Sequence, residues 1–458
     1  MLGTSNPNNP TVMAALKLVL YKSYICPFAA RAVLAMAETK QLHEAVEIDL
    51  DTPRPDWFLK DINPYGQVPA LKVNDKDMVL ESLIVAEYIA DLHPEAGLIP
   101  KDPLQRAQSR YLIQHWGSHT HPAWQGALSL DPKTATLRHQ KWITELEKVD
   151  HLLRSAHKTS ELGLDGQGPF FLGSRFTFAD LALASFLTRV PVFDHFQKGL
   201  GFKGFEPGNK PKPGEVFGVE GRSAIMTAPK LVLYNSDICP YAARAVIALD
   251  ETKQEHEVIP IDLKVARPEW YLKDINPYGQ VPALKVDDKD IILESLFVAE
   301  YVADLHPEAG LLPTDPLQRA QTRYLIHHWG ARVQPVFHKA SFTLDAAEAA
   351  KSREELIVEL GKFNKLLLDA HRKEGDNFGA GPFYLGDKFT FADLAIAPFL
   401  ARFHLLEAYN GNKGVTLEKN PELKRFLEWK EAVASRASVQ KATPSKETLT
   451  ENYRKWVK

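Results

Sequence analysis

Cysteine is nearly absent from this chain. Only two of its 458 residues are cysteines, Cys26 and Cys239. So few thiols argue against a fold held together by several disulfides, and they are typical of a protein that works in a reducing compartment. The two thiols are therefore candidates for chemistry rather than for cross-linking.

Three further absences narrow the class of protein. No apolar run approaches the length of a membrane span. The opening residues, MLGTSNPNNPTV, show neither the apolar core of a secretion signal nor an arginine-rich amphipathic pattern. The formal net charge of −3 gives no electrostatic basis for binding nucleic acid or an anionic membrane. The sequence therefore predicts a cytoplasmic protein whose partners include neither nucleic acid nor a membrane.

The chain contains the same sequence pattern twice, in copies 213 residues apart. The segment Ile25–Arg31, ICPFAAR, returns as Ile238–Arg244, ICPYAAR. Three further pairs share that offset: Asp61–Val73 with Asp274–Val286, Glu81–Ser82 with Glu294–Ser295, and Phe176–Asp180 with Phe389–Asp393. The protein is therefore a tandem duplication with one cysteine in each repeat.

Each cysteine is predicted to lie where a strand gives way to a helix. The short apolar run Leu16–Tyr21 is typical of a buried strand, and Pro27 occupies the first position of a helical pattern. The free N–H groups and the positive dipole end of such a helix favour a thiolate over a thiol. A lone cysteine is more often a small buried hydrophobe, but the same context in both repeats favours a reactive thiol.

The residue three positions after each cysteine is alanine, Ala29 or Ala242. A dithiol enzyme with a Cys-x-x-Cys motif has its second cysteine there. Neither site is therefore able to close its own disulfide, and an external thiol must resolve any mixed disulfide that forms.

The order of predicted elements gives the fold class. Each repeat begins with strand, helix, strand, helix, hairpin and helix, the order of a thioredoxin-like lobe, and then becomes helical throughout, so the class is α+β followed by an all-α bundle, twice. Repeat 2 stays helical to Lys458, whereas repeat 1 is predicted to lack these terminal helices. The predicted boundaries are 1–13 for an N-terminal extension, 14–94 and 227–307 for the thioredoxin-like lobes, 102–196 and 315–458 for the helical lobes, and 197–226 for a Gly- and Pro-rich linker.

Together, the motifs Cys-Pro-Phe/Tyr-x-x-Arg, Asn-Pro-x-Gly-x-Val-Pro, Glu-Ser and Phe-Thr-x-Ala-Asp-Leu resemble those of the cytosolic glutathione transferases. The Cys-Pro-Phe start is similar to their omega class. The resemblance covers nearly the whole chain, twice. It implies glutathione as cosubstrate and Cys26 and Cys239 as catalytic residues, in place of the tyrosine or serine of the conjugating classes.

The resemblance also implies a glutathione site in each repeat. The valine of Val-Pro would offer its backbone to the peptide, the Glu-Ser helix start suits the γ-glutamyl group, the arginine matches a family lysine near the glycine end, and an aromatic residue packs alongside. These residues are Phe28, Arg54, Val68, Pro69, Glu81 and Ser82 in repeat 1, and Tyr241, Arg267, Val281, Pro282, Glu294 and Ser295 in repeat 2. Ordinary roles as a serine N-cap, a solvated arginine or a core aromatic are the alternatives.

In this family the first helix of the α lobe lines the pocket for the second substrate. The residues that the resemblance assigns to it are Tyr111, His115 and Trp116 in repeat 1, and Tyr324, His328 and Trp329 in repeat 2. Packing between helices is an equal alternative for the tryptophans. The nearby pair His119 and His121 has no third ligand in view and no counterpart in repeat 2, so no metal is predicted.

The sequence thus predicts a tandem omega-like glutathione transferase that acts as a thiol transferase, with a mixed disulfide between each cysteine and glutathione. Its substrate could be a glutathionyl mixed disulfide, dehydroascorbate, or an S-glutathionyl ketone or quinone, which fits a redox or detoxification role. The alternatives are a conjugating transferase and a noncatalytic binding module. Near-identical repeats also predict that the two copies pack on each other within one chain as a two-fold pair.

Overall fold

The structure is a computed structural model that describes residues 16–128, 134–158, 169–189, 229–370, 381–409, 417 and 420–457. The chain divides into two compact units, Met1–Ala96 and Gly97–Lys458. The predicted N-terminal extension and linker lie outside the described residues. No helix in the described part of the chain is long and apolar enough to cross a membrane.

The first unit contains the thioredoxin-like lobe of repeat 1. Its four-stranded sheet has the order β2-β1-β3-β4, in which β1 and β2 are parallel and the other neighbours are antiparallel. The elements are β1 Leu18–Lys22, α1 Pro27–Thr39, β2 Glu44–Glu47, α2 Asp56–Asp61, β3 Ala70–Val73, β4 Asp77–Leu80 and α3 Ser82–Leu92. This order confirms the predicted element sequence.

The core of this lobe lies between the sheet and the helices α1 and α3, which pack on each other. Strand β1 does not show the alternation of buried and exposed side chains that is typical of a half-buried strand, because Leu18 to Tyr21 are all buried. A strand covered on both faces is expected to be apolar throughout. Helix α1 buries a stripe of small residues that includes Ala29 and Ala32, and this allows it to lie close to α3.

The second unit holds the helices of repeat 1 and all described elements of repeat 2. The repeat 1 helices are α4 Pro103–His115, α5 His121–Ala127, α6 Ala135–Lys158 and α7 Phe178–Leu187. In repeat 2 the lobe comprises β5 Leu231–Asn235, α8 Pro240–Thr252, β6 Glu257–Pro260, α9 Glu269–Asp274, β7 Ala283–Val286, β8 Asp290–Leu293 and α10 Ser295–Leu305. The helices that follow are α11 Pro316–His328, α12 Gln334–Phe342, α13 Ala346–Ala370, α14 Phe391–Leu400, α15 Leu405–Ala408, α16 Lys424–Ala434, α17 Ala437–Lys441 and α18 Lys446–Tyr453.

The second sheet repeats the first, with the order β6-β5-β7-β8 and the same strand directions. The predicted fold, a thioredoxin-like lobe followed by helices in each of two repeats, is thereby confirmed. Helices α4 and α11 each continue through a π-helical turn, Trp116–Thr120 and Trp329–Val333. Helices α7 and α14 each begin with a capping box, formed by Thr177 with Asp180 and by Thr390 with Asp393.

Candidate active site

Each cysteine caps the helix that follows the first strand of its sheet. Cys239 has extended backbone angles and its carbonyl accepts the amide of Ala243 at 3.1 Å, so the helix α8 begins directly after it, with Pro240 at its first position. Its Sγ lies 3.8 Å from the carbonyl oxygen of Val281, to which the thiol donates. Cys26 stands in the same way before α1, with its Sγ 3.9 Å from the Val68 carbonyl. Both thiols are free.

The surroundings of Cys239 act on its acidity in opposite directions. Burial raises the pKa of the Cys239 thiol, whereas the backbone N–H groups of Ala242 and Tyr241 and the charges of Arg402 and Arg244 lower it. Burial prevails, because removing a thiolate from water costs more than these groups return. The helix N-terminus does act to lower the pKa of the Cys239 thiol, but the expected net lowering is wrong, because burial outweighs it.

The valine and proline predicted to bind the peptide lie beside each cysteine. The bonds Val68–Pro69 and Val281–Pro282 are both cis. They precede β3 and β7, the central antiparallel strands. The structure thus brings Val68 to Cys26 and Val281 to Cys239.

The Glu-Ser pair stands at the start of the helix that follows the last strand of each sheet, α3 in repeat 1 and α10 in repeat 2. Glu81 and Glu294 adopt φ values of 72° and 69°, a region that non-glycine residues rarely enter, so the chain turns sharply there. Ser82 and Ser295 are buried at the first position of α3 and α10. Burial raises the pKa of the Glu294 carboxyl, while His119 and Arg244 act to lower it.

An arginine in each repeat joins the cysteine helix to this serine. The guanidinium of Arg244 donates to the Ser295 Oγ at 3.0 Å and to the Ala395 carbonyl at 2.7 Å, and Arg31 donates to the Ser82 Oγ at 3.1 Å. Burial lowers the pKa of each guanidinium to about 10. Because the arginine occupies a lone pair of the serine oxygen, the hydroxyl hydrogen remains for another acceptor. The hydrogen bonds of these arginines to the serines were not predicted from the sequence, although both arginines end the repeated Cys-Pro motif.

Arg54 and Arg267, predicted near the glycine end of glutathione, hold their own loop together. The Nε of Arg267 donates to the Gly279 carbonyl at 2.9 Å, and its Nη1 donates to the carbonyls of Asp262 and Val265 at 2.7 Å. Arg54 makes the equivalent bonds in repeat 1. Gly279 has a φ of +65°, and a Cβ there would lie 3.0 Å from the Arg267 side chain, which explains the glycine of the motif.

A cavity of about 430 Å³ opens beside Cys239. Seven of its 17 lining residues are aromatic, and Arg267, Arg402 and Lys455 bring positive charge to it. The Nη2 of Arg402 donates to the Ile238 carbonyl at 3.2 Å, next to the cysteine, and its Nε donates to the Tyr453 hydroxyl at 3.2 Å. The aromatic lining residues are Tyr241, Phe337, His338, Phe342, Phe399, Tyr453 and Trp456. Of these aromatic residues, only Tyr241 was predicted from the sequence to lie at the Cys239 site.

The repeat 2 residues that the resemblance assigned to the second-substrate pocket do not line the Cys239 cavity. His328 and Trp329 are 2% and 1% exposed, and neither they nor Tyr324 line the Cys239 cavity. Trp329 packs on Phe363 and Phe399 within the helical core, with ring centroids 5.4 and 6.4 Å apart. The last turn of α11 faces inward, so the cavity wall comes from the helices that follow it. In repeat 1, His115 and Trp116 are likewise buried.

Tyr111 and the two histidines predicted not to form a metal site have other neighbours. Tyr111 packs against the apolar core of the repeat 2 sheet. His119 stacks on Tyr278 of repeat 2, with ring centroids 5.1 Å apart and planes at 5°. His121 instead meets Phe186 at 4.8 Å. Among the described residues, no group of three His, Cys, Asp or Glu side chains is placed to hold a metal ion.

Comparison with known proteins agrees with this arrangement. The profile "Glutathione S-transferase, N-terminal domain" matches residues 20–97 and again 233–310, and "Glutathione S-transferase, C-terminal domain" matches residues 363–429. A probable glutathione transferase omega-2 of Caenorhabditis briggsae is 32% identical over 201 residues, which cover 43% of this chain and 74% of that protein. A probable maleylacetoacetate isomerase of Caenorhabditis elegans is 30% identical over 38% of this chain and 77% of its own length.

Among solved structures, glutathione transferase Omega 1C from Trametes versicolor is 30% identical, with a TM-score of 0.42, over 50% of this chain and 97% of its own. The N-terminal domain profile matches at both cysteine sites, and the omega-class relatives each cover one repeat. Members of this family use glutathione as cosubstrate. The chain therefore belongs to the glutathione S-transferase family, as a tandem-duplicated, omega-like member.

Proposed function

We propose that this glutathione transferase acts as a thiol transferase, with one catalytic cysteine in each repeat. The observation that carries the proposal is the position of each sulfur: at a helix N-terminus, within 3.9 Å of the carbonyl that precedes the cis proline, and with an arginine-bound serine at the neighbouring helix start. A tyrosine or serine in place of the cysteine would activate glutathione but would not exchange disulfides.

The reaction proceeds in two exchanges. The cysteine thiolate attacks the glutathione sulfur of a mixed disulfide, RS–SG; the enzyme–glutathione disulfide forms and RS⁻ leaves. A second glutathione thiolate then attacks the glutathione sulfur of that disulfide, which releases oxidised glutathione and restores the cysteine thiolate. One disulfide, RS–SG, is broken and one, that of oxidised glutathione, is formed, so each turnover consumes one free glutathione and releases one RSH, and no second cysteine of the chain is needed.

In each repeat, Ser82 or Ser295 is proposed to donate to the γ-glutamyl carboxylate, because its oxygen already accepts from the arginine. Glu81 or Glu294 takes the amine, and the Val68 or Val281 backbone pairs with the peptide. Phe28 or Tyr241 packs beside the tripeptide, and Arg54 or Arg267 shapes the loop at its glycine end. In repeat 2 the aromatic cavity then accepts the second substrate, an apolar or aromatic group on the sulfur.

The test is steady-state thiol transfer from the mixed disulfide of glutathione and 2-mercaptoethanol, measured beside conjugation of an aryl halide. Cys26→Ser and Cys239→Ser are each expected to lose part of the thiol transfer, and the double variant nearly all of it. Full thiol transfer in the double variant would refute the covalent mechanism. The conjugating alternative would be favoured if the wild type conjugates the aryl halide without any thiol transfer and the double variant loses that conjugation.

The raised pKa of the Cys239 thiol is the one observation that favours this alternative. A thiol that donates to the Val281 carbonyl is able to hold and orient glutathione without forming a disulfide. Mass spectrometry of the enzyme quenched during turnover separates the two, because only the thiol transferase accumulates an adduct of one glutathione on Cys239.

The two repeats are also proposed to pair within the chain around an approximate two-fold axis. Within the second unit, α4 of repeat 1 packs on α10 of repeat 2, where Arg106 and Arg110 meet Asp304 and Glu300, each at 2.8 Å. Arg323, which is the counterpart of Arg110 at the 213-residue offset, also approaches Glu300, at 3.7 Å. Equivalent residues that converge on one partner are typical of a self-complementary interface.

This pairing is tested by Arg110→Glu, which places two carboxylates in contact at a site where Arg110 and Glu300 are both largely buried. The variant is expected to expand in small-angle scattering and to unfold at a lower temperature, and Glu300→Arg is expected to restore part of the loss. Arg154→Glu is the control, because its ion pair with Asp150 is exposed. An unchanged Arg110→Glu variant would contradict the pairing.

A further inference from the structure

The cavity beside Cys239 has positive charge on its wall and no negative charge to balance it. Among the described residues that line it, Arg267, Arg402 and Lys455 are cationic, and none is aspartate or glutamate. Burial lowers the pKa of His338, so this lining residue is neutral at neutral pH. The whole chain has 55 basic and 58 acidic residues, so this one-sided wall is a local feature and does not follow from the composition.

Arg402 is the buried member of this set. It is 2% exposed, and it donates to the carbonyls of Ile238 and Pro398 and to the hydroxyl of Tyr453. All three acceptors are neutral, and no carboxylate in the described part of the chain forms an ion pair with it. Each nitrogen of the guanidinium donates once, so one N–H group on each Nη remains. A buried cation with neutral partners attracts an anion strongly, because little water lies between the charges.

Lys455 is the exposed member. It lies in the short helical turn Arg454–Trp456 that follows α18, between Tyr453 and Trp456 of the same wall. Within the described ranges, its ammonium group has no carboxylate partner. The hydroxyl of Tyr453 accepts from Arg402, so cations and aromatic rings alternate along this side of the cavity. Such a wall suits a ligand that is itself an aromatic ring with a negative charge.

The carboxylates of glutathione do not account for these two cations. In the proposed function the γ-glutamyl carboxylate meets Ser295, which does not line the cavity. The glycine end lies at the loop that Arg267 holds. Arg402 and Lys455 therefore face the part of the cavity that is left for the second substrate.

We propose that repeat 2 prefers second substrates whose sulfur carries an aromatic ring with a carboxylate, and that Arg402 and Lys455 bind this carboxylate. The inference rests on the proposed thiol transferase function and names the substrate class of its second site. The ring lies against the aromatic wall, which includes Phe337, Phe342 and Trp456. A cavity of about 430 Å³ is of the size that takes one small molecule. The two exchange steps are unchanged, with the aryl carboxylate as the group R of RS–SG.

The experiment uses the full chain with Cys26→Ser, so that only repeat 2 turns over. Its substrates are the mixed disulfides of glutathione with 4-(mercaptomethyl)benzoate, 4-(mercaptomethyl)benzamide and 4-(mercaptomethyl)benzylamine, which carry an anion, a neutral group and a cation. A methylene separates each sulfur from the ring, so the three thiols leave with similar ease. The kcat/KM of the acid is expected to exceed that of the amide by about tenfold, the factor for a charge-assisted hydrogen bond, and the ammonium compound is expected to react slowest.

Lys455→Met is expected to lower the preference for the acid over the amide by about two- to fivefold, the range for an exposed charge pair, and to leave the kcat/KM of the amide unchanged. Lys455→Arg should restore the preference. The matched control is Arg454→Met, which removes the same charge from the neighbouring exposed residue that does not line the cavity. It should keep the preference of the parent chain.

Arg402→Gln is expected to abolish most of the preference. Because Arg402 also acts on the Cys239 thiol, this variant should slow both substrates, and the ratio of the two kcat/KM values is the quantity to compare. Circular dichroism shows whether it folds. If it does not, the two Lys455 variants decide the question, since Lys455 is exposed.

Three results would overturn the inference and leave thiol transfer intact. They are equal kcat/KM for the acid and the amide, a preference that Lys455→Met does not change, and a preference that Arg454→Met lowers as much as Lys455→Met. The last would mean that the end of the chain attracts anions in general. Absence of thiol transfer from all three substrates would instead refute the proposed function, and this inference with it.

Discussion

Replacing Ser295 by alanine removes the oxygen that accepts a hydrogen bond from the buried Arg244 guanidinium at 3.0 Å. Arg244 is 5% exposed, so water does not replace the lost acceptor. Loss of a hydrogen bond to a buried charge costs about 1.5–3 kcal/mol. Because Arg244 keeps its 2.7 Å bond to the Ala395 carbonyl and its contact with the Phe399 ring, we expect the lower half of that range, about 2 kcal/mol.

The same substitution is expected to have a second effect, on ligand binding. If the Ser295 hydroxyl donates to the γ-glutamyl carboxylate, its loss weakens glutathione binding to repeat 2 by roughly 1–2 kcal/mol, or about 5- to 30-fold. Calorimetry measures both quantities. A scan gives the melting temperature, which is expected to fall by about 4–8 °C for a loss of about 2 kcal/mol in a domain of about 150–250 residues. A titration gives the affinity for glutathione. Ser82→Ala should behave alike, since Arg31 donates to Ser82 at 3.1 Å.

The control for this prediction is Ser352→Ala. Ser352 is 1% exposed, and its hydroxyl has no hydrogen-bond partner within the described ranges, so its loss should leave stability nearly unchanged. The double variant Ser295→Ala with Arg244→Met should lose less than the sum of the single losses, by about 1 kcal/mol or more. Additive losses, or a Ser295→Ala variant that melts with the wild type, would refute the reasoning.

Three other perturbations follow from buried groups. Burial lowers the pKa of His328 to about 4, so between pH 4 and 6.5 the folded state binds fewer protons than the unfolded state. The free energy of unfolding therefore falls as the pH falls through that window. His328→Phe should reduce this dependence by at most about 1.4 kcal/mol per pH unit, as unfolding measured against pH would show. Arg402→Leu removes a charge that lowers the Cys239 pKa, so the thiolate absorbance at 240 nm of a Cys26→Ser background should appear at higher pH than with Arg402 present, and an unchanged titration would contradict that role. Asp393 accepts hydrogen bonds from the backbone of Tyr384 and Thr390 and from the Trp429 indole, whereas Asp180 of repeat 1 accepts from the backbone of Phe171 and Thr177 and, within the described segments, from no indole. Asp393→Ala should therefore destabilise more than Asp180→Ala, by about 1 kcal/mol for the additional hydrogen bond, as calorimetry of the two variants would show.

Much of the fold was accessible from the sequence because its signals are local. The short apolar run before Cys26 and the proline after it each depend on neighbours within a few residues, and the structure confirms the strand and the helix start. The contacts of Val68 with Cys26 and of Val281 with Cys239 were not predicted, because they join residues 42 positions apart and depend on how the sheet edge brings the chain segments together.

The wall of the Cys239 cavity was not accessible in the same way. A helical pattern distinguishes the apolar face of α11 but does not tell whether that face meets a cavity or the core, and Trp329 lies in the core. Tyr453 and Trp456 reach the cavity from a helix near the end of the chain, and no local signal connects them to a cysteine more than 200 residues earlier. The prediction of a lowered pKa for the Cys239 thiol was wrong for a related reason, because burial depends on the whole environment of Cys239 and not on the helix end alone.

These differences bear on what a second copy contributes. The residues that would hold glutathione recur in both repeats at a constant offset, with matching distances from sulfur to carbonyl and from arginine to serine. Part of the Cys239 cavity wall comes instead from segments where the repeats diverge. Phe337 stands in a stretch that differs between them, and Tyr453 and Trp456 follow the point at which repeat 1 passes into its Gly- and Pro-rich sequence. On the proposed mechanism, a duplication that preserves the cysteine and varies the wall changes which group on the sulfur is accepted and leaves the exchange chemistry unchanged. Cys26→Ser and Cys239→Ser should therefore differ more in their preference among mixed disulfides than in their affinity for glutathione.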